Sequence, residues 1–281
     1  MTFELLDSLS LPGDAAKPNE DAFGHDAMAA VVLDGATPLG GGLMPGPSDA
    51  AWIAQFGTRR LLAHLRDGDG ARKAVRGALA DAQKSFEALR RHPPEEVWQT
   101  PCASMMLAVA REGGLEFLSF GDCAALVQPE GAPVMVVGET FDKRAAEAKR
   151  AQAIAREKNL SPASGLSRPE FLGALRATRN RVNSGNYWLF SPDAKAASHA
   201  ARRTVKAAPG TKLLLASDGF LALASDYGAY GADSLMQAVL EKGLNALGEE
   251  LRAIEAGDAL GDKFPRFKKS DDATALLLRV V

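Results

Sequence analysis

Apolar positions along this chain follow two spacings, one of unbroken or alternating short runs and one of helical period. Ala29-Ala30-Val31-Val32-Leu33 is an apolar run that stops at Asp34-Gly35, which predicts a buried strand closed by a turn. Phe3 to Leu9 predicts an edge strand. From Ala50 to about Leu65 the apolar residues Trp52, Ile53, Phe56, Leu61, Leu62 and Leu65 recur at helical spacing, behind the N-cap signal Ser48-Asp49. The Gly- and Pro-rich stretch from Leu39 to Pro47 before it is a loop. A second helix is predicted from about Gly70 to Arg91, stopped by Pro93-Pro94. Four strand-like runs follow, Ala103 to Ala110, Leu115 to Phe120, Ala124 to Val127 and Pro133 to Val137. Gly113-Gly114 and Gly121-Asp122 supply turns, so these runs predict an antiparallel meander. Strands are predicted again at Asn186 to Phe190, Arg203 to Lys206 and Lys212 to Ala216, helices over Asp233 to Ala256, and a last strand over Ala273 to Val280. The Ala-, Lys- and Arg-rich segment from about 141 to 185 reads as a helical insertion or lid, broken at Ser161 to Gly165, within one domain spanning residues 1–281.

Composition narrows the function classes. Hydrophobic residues make up 46% of the chain and charged residues 24%, enough for a sizeable core. The net charge of −2 gives no concentrated cationic field, which argues against nucleic acid as the main partner. The two cysteines, Cys102 and Cys123, have no neighbour at CxxC spacing, so neither a zinc site nor a redox motif is expected, and a reducing compartment fits. The opening MTFELLDSLSLPGD lacks a basic leader and a long apolar core, and no run of about 18 apolar residues occurs. The expectation is a cytoplasmic protein with no membrane partner.

The candidate chemistry lies in carboxylates at strand ends. Asp34-Gly35 follows one apolar strand, Asp218-Gly219 follows another, Asp271-Asp272 precedes a third, and Glu20-Asp21 precedes a candidate strand near Phe23. Clustered carboxylates repel one another unless a cation lies between them. Hard divalent cations such as Mg²⁺ and Mn²⁺ take oxygen ligands of this kind. A lone Asp-Gly is a common turn, but four acidic sites in this chain order are far more specific.

The order Asn19-Glu20-Asp21, Val31-Val32-Leu33-Asp34-Gly35, Gly121-Asp122, Leu214-Leu215-Ala216-Ser217-Asp218-Gly219 and Ser270-Asp271-Asp272-Ala273-Thr274 resembles the PP2C-type (PPM) metal-dependent serine/threonine phosphatases, bacterial members above all. The resemblance spans nearly the whole chain and is weak from Phe141 to Arg181. It implies an α+β fold of two packed antiparallel sheets flanked by helices, with a binuclear Mn²⁺ or Mg²⁺ centre at one end. By position, Asp34 would bridge the metals. The Gly35 carbonyl and Asp21, with Glu20 ranked below it, would complete one shell. Asp218 and Asp271 would complete the other. Asp122 would help hold a weaker third metal, and Asp272 falls where relatives often have Asn. A water between the two cations would attack a phosphomonoester in line, with no covalent enzyme intermediate.

Departures from the pattern affect substrate handling. Relatives usually carry a phosphate-gripping Arg four residues before the Glu; here that position is Ala16, and Lys17 beside it is the candidate phosphate contact. Where many relatives continue Asp-Gly with His, a candidate acid for the leaving group, this chain has Ala36-Thr37-Pro38. The expected substrate is a phosphorylated protein. A small phosphorylated metabolite is the alternative, and a non-catalytic binding or regulatory module ranks last because Asp34, Asp218 and Asp271 are all present.

Overall fold

The computed structural model describes residues 1–139, 169–264, 266 and 268–281. Among the described residues, ten strands form two five-stranded antiparallel sheets. The first orders β2 (Asp21–His25), β3 (Ala29–Gly35), β4 (Ala103–Arg111), β5 (Gly114–Phe120) and β8 (Ala201–Lys206). The second orders β1 (Phe3–Leu11), β10 (Ala273–Val280), β9 (Lys212–Ala216), β6 (Ala124–Gln128) and β7 (Met135–Val137).

The apolar runs are continuous because these strands are buried on both faces. In β3, Ala30 and Val32 point inward between the sheets, where they join Met106, Phe117, Leu213, Leu215 and Leu276. Val31 and Leu33 point outward and pack under α1 (Asp49–Arg66) and α2 (Ala71–Leu89) with Ile53, Leu61, Val75 and Leu79. Leu214, Ala216 and Leu277 of the second sheet pack outward against α4 (Asp218–Ser225), α5 (Ala232–Lys242) and α6 (Leu244–Gly257). The layers therefore run helices, sheet, sheet, helices, as expected.

Several elements differ from the sequence expectation. The four runs between Ala103 and Val137 are not one meander: β4 and β5 pair in the first sheet, whereas β6 and β7 pair in the second. The chain changes sheet at Gly121, whose φ of +71° favours glycine. Residues 186–190 are not a strand; they make only the isolated bridges Ser184–Tyr187 and Ala103–Phe190. Gly243, at φ +82°, divides residues 233–256 into α5 and α6, and the Asp7 carboxylate caps α6 by accepting from Leu244 N at 2.8 Å. The helix α4 after Asp218 was not anticipated. Of the expected 141–185 insertion, residues 141–168 lie outside the described residues; α3 (Pro169–Arg179) follows them and reaches back to the loop after β3 through Arg176, which donates to Leu39 O at 2.6 Å and 3.0 Å. Among the described residues no helix is long and apolar enough to cross a membrane.

Candidate metal centre

Antiparallel pairing gathers the acidic motifs at one end of the sandwich. In the first sheet Asp21 lies opposite Asp34, and Asp34 lies opposite Ser104. In the second sheet Ala216 at the end of β9 pairs with Ala275 on one side and Ala124 on the other. Asp218 leaving β9, Asp271-Asp272 entering β10 and Asp122 entering β6 therefore share that edge. Carboxylate oxygens of Asp34, Asp122 and Asp218 lie within 4.8 Å of one another.

The glycine of each Asp-Gly pair has a steric reason. A Cβ on Gly35 would collide with the carbonyl oxygens of Ala50 and Glu20, and one on Gly219 with the carbonyl of Asp272. Each pair thus marks a close approach between two chain segments, and the carboxylate beside it is delivered to the seam. Ser48 caps α1, accepting from Ala51 N at 3.3 Å, and its hydroxyl also donates to Glu20 Oε1 at 2.6 Å.

The electrostatics are those of a site built for positive charge. Asp21 is buried; Ser217 donates to its Oδ2 at 2.7 Å, while Oδ1 carries no hydrogen bond. Burial, reinforced by the charges of Asp271 and Asp272, pushes the Asp21 carboxyl up to about 8. Burial likewise holds the Asp34 carboxyl well above the usual range, with Asp218, Asp21, Asp271 and Asp122 adding like charge. An orphaned carboxylate oxygen beside three converging carboxylates fits hard divalent cations, and the donor set is all oxygen.

The other predicted residues divide by their partners. Asp122 stands closer to the centre than its sequence rank implied: it joins Asp34 and Asp218, and Ser104 donates to its Oδ1 at 2.5 Å. Asp271 Oδ1 receives Lys268 Nζ at 2.7 Å and Asp272 N at 3.0 Å. Glu20 is held by two hydroxyls, Ser48 on Oε1 and Thr37 on Oε2, each at 2.6 Å. Asp272 is a clamp: its oxygens accept from Gly13 N at 2.7 Å and Glu20 N at 2.6 Å, tying the loop before β2 to the start of β10. Lys17 is engaged elsewhere; its side chain, 76% exposed, pairs with Asp14 at 3.7 Å. Gly35 N donates to Glu20 O at 3.0 Å, which locks the end of β3 to the Asn19-Glu20-Asp21 motif.

No cysteine or histidine enters this centre among the described residues. Burial, with Asp34 and Asp122 nearby, raises the Cys123 thiol well above its ordinary value, the opposite of an activated nucleophile. His64 bridges Asp69 and Asp81 between α1 and α2 at 3.3 Å and 2.9 Å, and His199 stacks on Trp188 at 3.5 Å. Sequence reasoning missed Ser217, Ser104, Thr37 and Lys268, which hold the carboxylates. Ser217, Thr37 and Lys268 lie within three residues of an acidic motif, as in Ser217-Asp218, whereas Ser104 carries no such signal.

No protein-family model and no curated protein matches this chain. Solved structures do. The catalytic domain of serine/threonine protein phosphatase PstP in complex with two manganese ions is 15% identical, covering 100% of this chain and 99% of that one, with a TM-score of 0.56. The Mycobacterium tuberculosis serine/threonine phosphatase PstP/Ppp is 16% identical over 100% and 99% of the chains, with a TM-score of 0.57. Stp1 from Staphylococcus aureus is 15% identical over 100% and 95%, with a TM-score of 0.53. The chain is therefore built, over its full length, on the fold shared by these bacterial serine/threonine phosphatases.

Proposed function

We propose that this protein is a divalent-metal-dependent phosphomonoester hydrolase acting on phosphoserine or phosphothreonine in proteins. The observation that carries the reading is the convergence of the Asp34, Asp122 and Asp218 carboxylates beside the orphaned Oδ1 of Asp21. The fold it shares with a phosphatase solved with two manganese ions supports it. Asp34, Asp218 and Asp21 would hold two Mn²⁺ or Mg²⁺ ions, with Asp122, Asp271 and the Gly35 carbonyl as further donors. Such cations supply an acidified water as the nucleophile and offset charge on the phosphoryl oxygens.

The chain's own residues position this chemistry. Ser217 fixes one oxygen of Asp21 and leaves the other to a ligand. Ser104 donates to Oδ1 of Asp122 and fixes its position. Thr37 and Ser48 orient Glu20, and Asp272 holds the loop that carries it. The half-buried Arg179 reaches the loop after β3, donating to Ala36 O at 3.4 Å, in a shallow cleft bordered by Leu39, Trp98 and Pro101.

A small phosphorylated metabolite is the second reading. Ala16, where relatives carry a phosphate-gripping Arg, and the Ala36-Thr37 continuation of Asp34-Gly35 favour it. Hydrolysis of p-nitrophenyl phosphate by chelator-treated protein, with and without added Mn²⁺, tests the reading. We expect activity only with metal, and a loss of about 100-fold or more in Asp34→Asn and Asp218→Asn, whose fold survives. Full activity in either variant would remove the site assignment. Phosphopeptides against phosphometabolites then decide between the two substrate classes.

A further inference from the structure

Lys268 sets a permanent cation against the ring of carboxylates. Its Nζ lies 2.7 Å from Asp271 Oδ1, and the pair is only partly exposed, at 32% and 27% for the two side chains. Asp271 Cβ lies 3.3 Å from the position a Cβ on Gly219 would take, so Asp271 sits against the Asp218-Gly219 junction on the same edge. Burial opposes the Lys268 ammonium, but Asp271, Asp34 and Glu20 outweigh it and raise Lys268 above its ordinary value. An ammonium is a compact point charge with three donors, able to balance a carboxylate but unable to bridge several at metal distances.

We propose that Lys268 is a built-in counter-ion of the centre, holding the Asp271 carboxylate so that a divalent cation binds against its charge. This rests on the metal-centre reading above and adds to it a residue that sets metal affinity. The ammonium stabilises the carboxylate ring in the metal-free protein. It also repels an incoming divalent cation and withholds one Asp271 oxygen from it. Metal occupancy then requires a higher free ion concentration than the carboxylates alone would.

The test is Mn²⁺ titration of the chelator-treated full chain by calorimetry, with Lys268→Met and Lys268→Arg alongside. We expect Lys268→Met to bind Mn²⁺ roughly tenfold more tightly or better, and Lys268→Arg to stay within about threefold of the parent, because it keeps the charge. Metal-free Lys268→Met should melt at a lower temperature, and its rise on adding Mn²⁺ should be larger. If the metal-free variant does not stay folded, competing the metal-loaded proteins against a chelator of known affinity reads the same ranking. Unchanged or weaker Mn²⁺ binding by Lys268→Met would overturn the proposal and leave the metal centre intact. Equal tightening in Lys268→Arg would overturn it too, since the charge would then be irrelevant. A parent protein that binds no Mn²⁺ would overturn both this inference and the functional reading.

Discussion

Asp21 concentrates the electrostatics of the acidic edge in a single residue. Its carboxyl is buried, bonded to Ser217 on one oxygen only, and raised to about 8. An unfolded Asp loses its proton near 3.8, so between these limits the metal-free folded state binds more protons than the unfolded one. The stability this group contributes is complete below the lower limit and is lost as pH rises toward the upper one. The chelated protein should therefore melt at a lower temperature at pH 8 than at pH 5.5, and Asp21→Asn should flatten that difference. Added Mn²⁺ should reverse the trend in the parent, because binding removes the proton. Calorimetric melting across pH, with and without chelator, checks all three. A parent without pH dependence would contradict the burial argument.

At this scale the sequence was informative about which acids matter and less so about their duties. Asp34, Asp218 and Asp21 stood out because each ends or begins an apolar strand. Asp272 and Glu20 looked the same in sequence, yet their oxygens are taken by backbone amides and hydroxyls. The difference lies in residues more than 250 positions apart for Asp272, a separation that no local pattern encodes.

At the scale of elements, the Asp-Gly junctions do the positioning. Gly35 lies against the Ala50 and Glu20 carbonyls, and Gly219 against that of Asp272. Gly219→Ala must push α4 off the 271–272 segment, which we expect to cost about 1–3 kcal/mol and to reduce metal affinity in the same variant. Urea denaturation paired with Mn²⁺ titration checks this; a loss of stability with unchanged affinity would separate the glycine from the site. Residues 186–190 make a second case. They read as a strand because Tyr187, Trp188, Leu189 and Phe190 are apolar, but they act as an anchor. Phe190 is fully buried beneath α1 and bridges to Ala103. Phe190→Ala should cost about 3–5 kcal/mol by the same denaturation measurement.

The long helices were legible because α1 has both a cap and an apolar stripe. The helix α4 was not, since Phe220 to Leu223 is apolar on every side and buried, a pattern that short strands share. The switch of sheets at Gly121 was hidden for a different reason. A glycine at positive φ and a hairpin glycine are the same letter, and only the long-range pairing of β6 with β9 distinguishes them.

Across the whole molecule, two sheets share one inner core and each carries its own helical layer. The resemblance to the PP2C-type phosphatases implied this layering, and strands apolar on both faces, such as Ala29 to Leu33 and Leu213 to Ala216, are consistent with it. The site follows from the layering, because strand ends of both sheets meet at one edge and bring together acids spread from residue 21 to residue 271. What the strand pattern did not reveal is the balance of charge there, with many carboxylates set against Lys268.

We propose that this acidic edge binds two divalent cations. Crystals of the protein soaked in Mn²⁺, with diffraction data collected at the manganese absorption edge, test it most directly. We expect two anomalous peaks among Asp21, Asp34, Asp122, Asp218 and Asp271, and their loss in Asp34→Asn. Peaks elsewhere on the protein, or a clean map at this edge under saturating Mn²⁺, would contradict it.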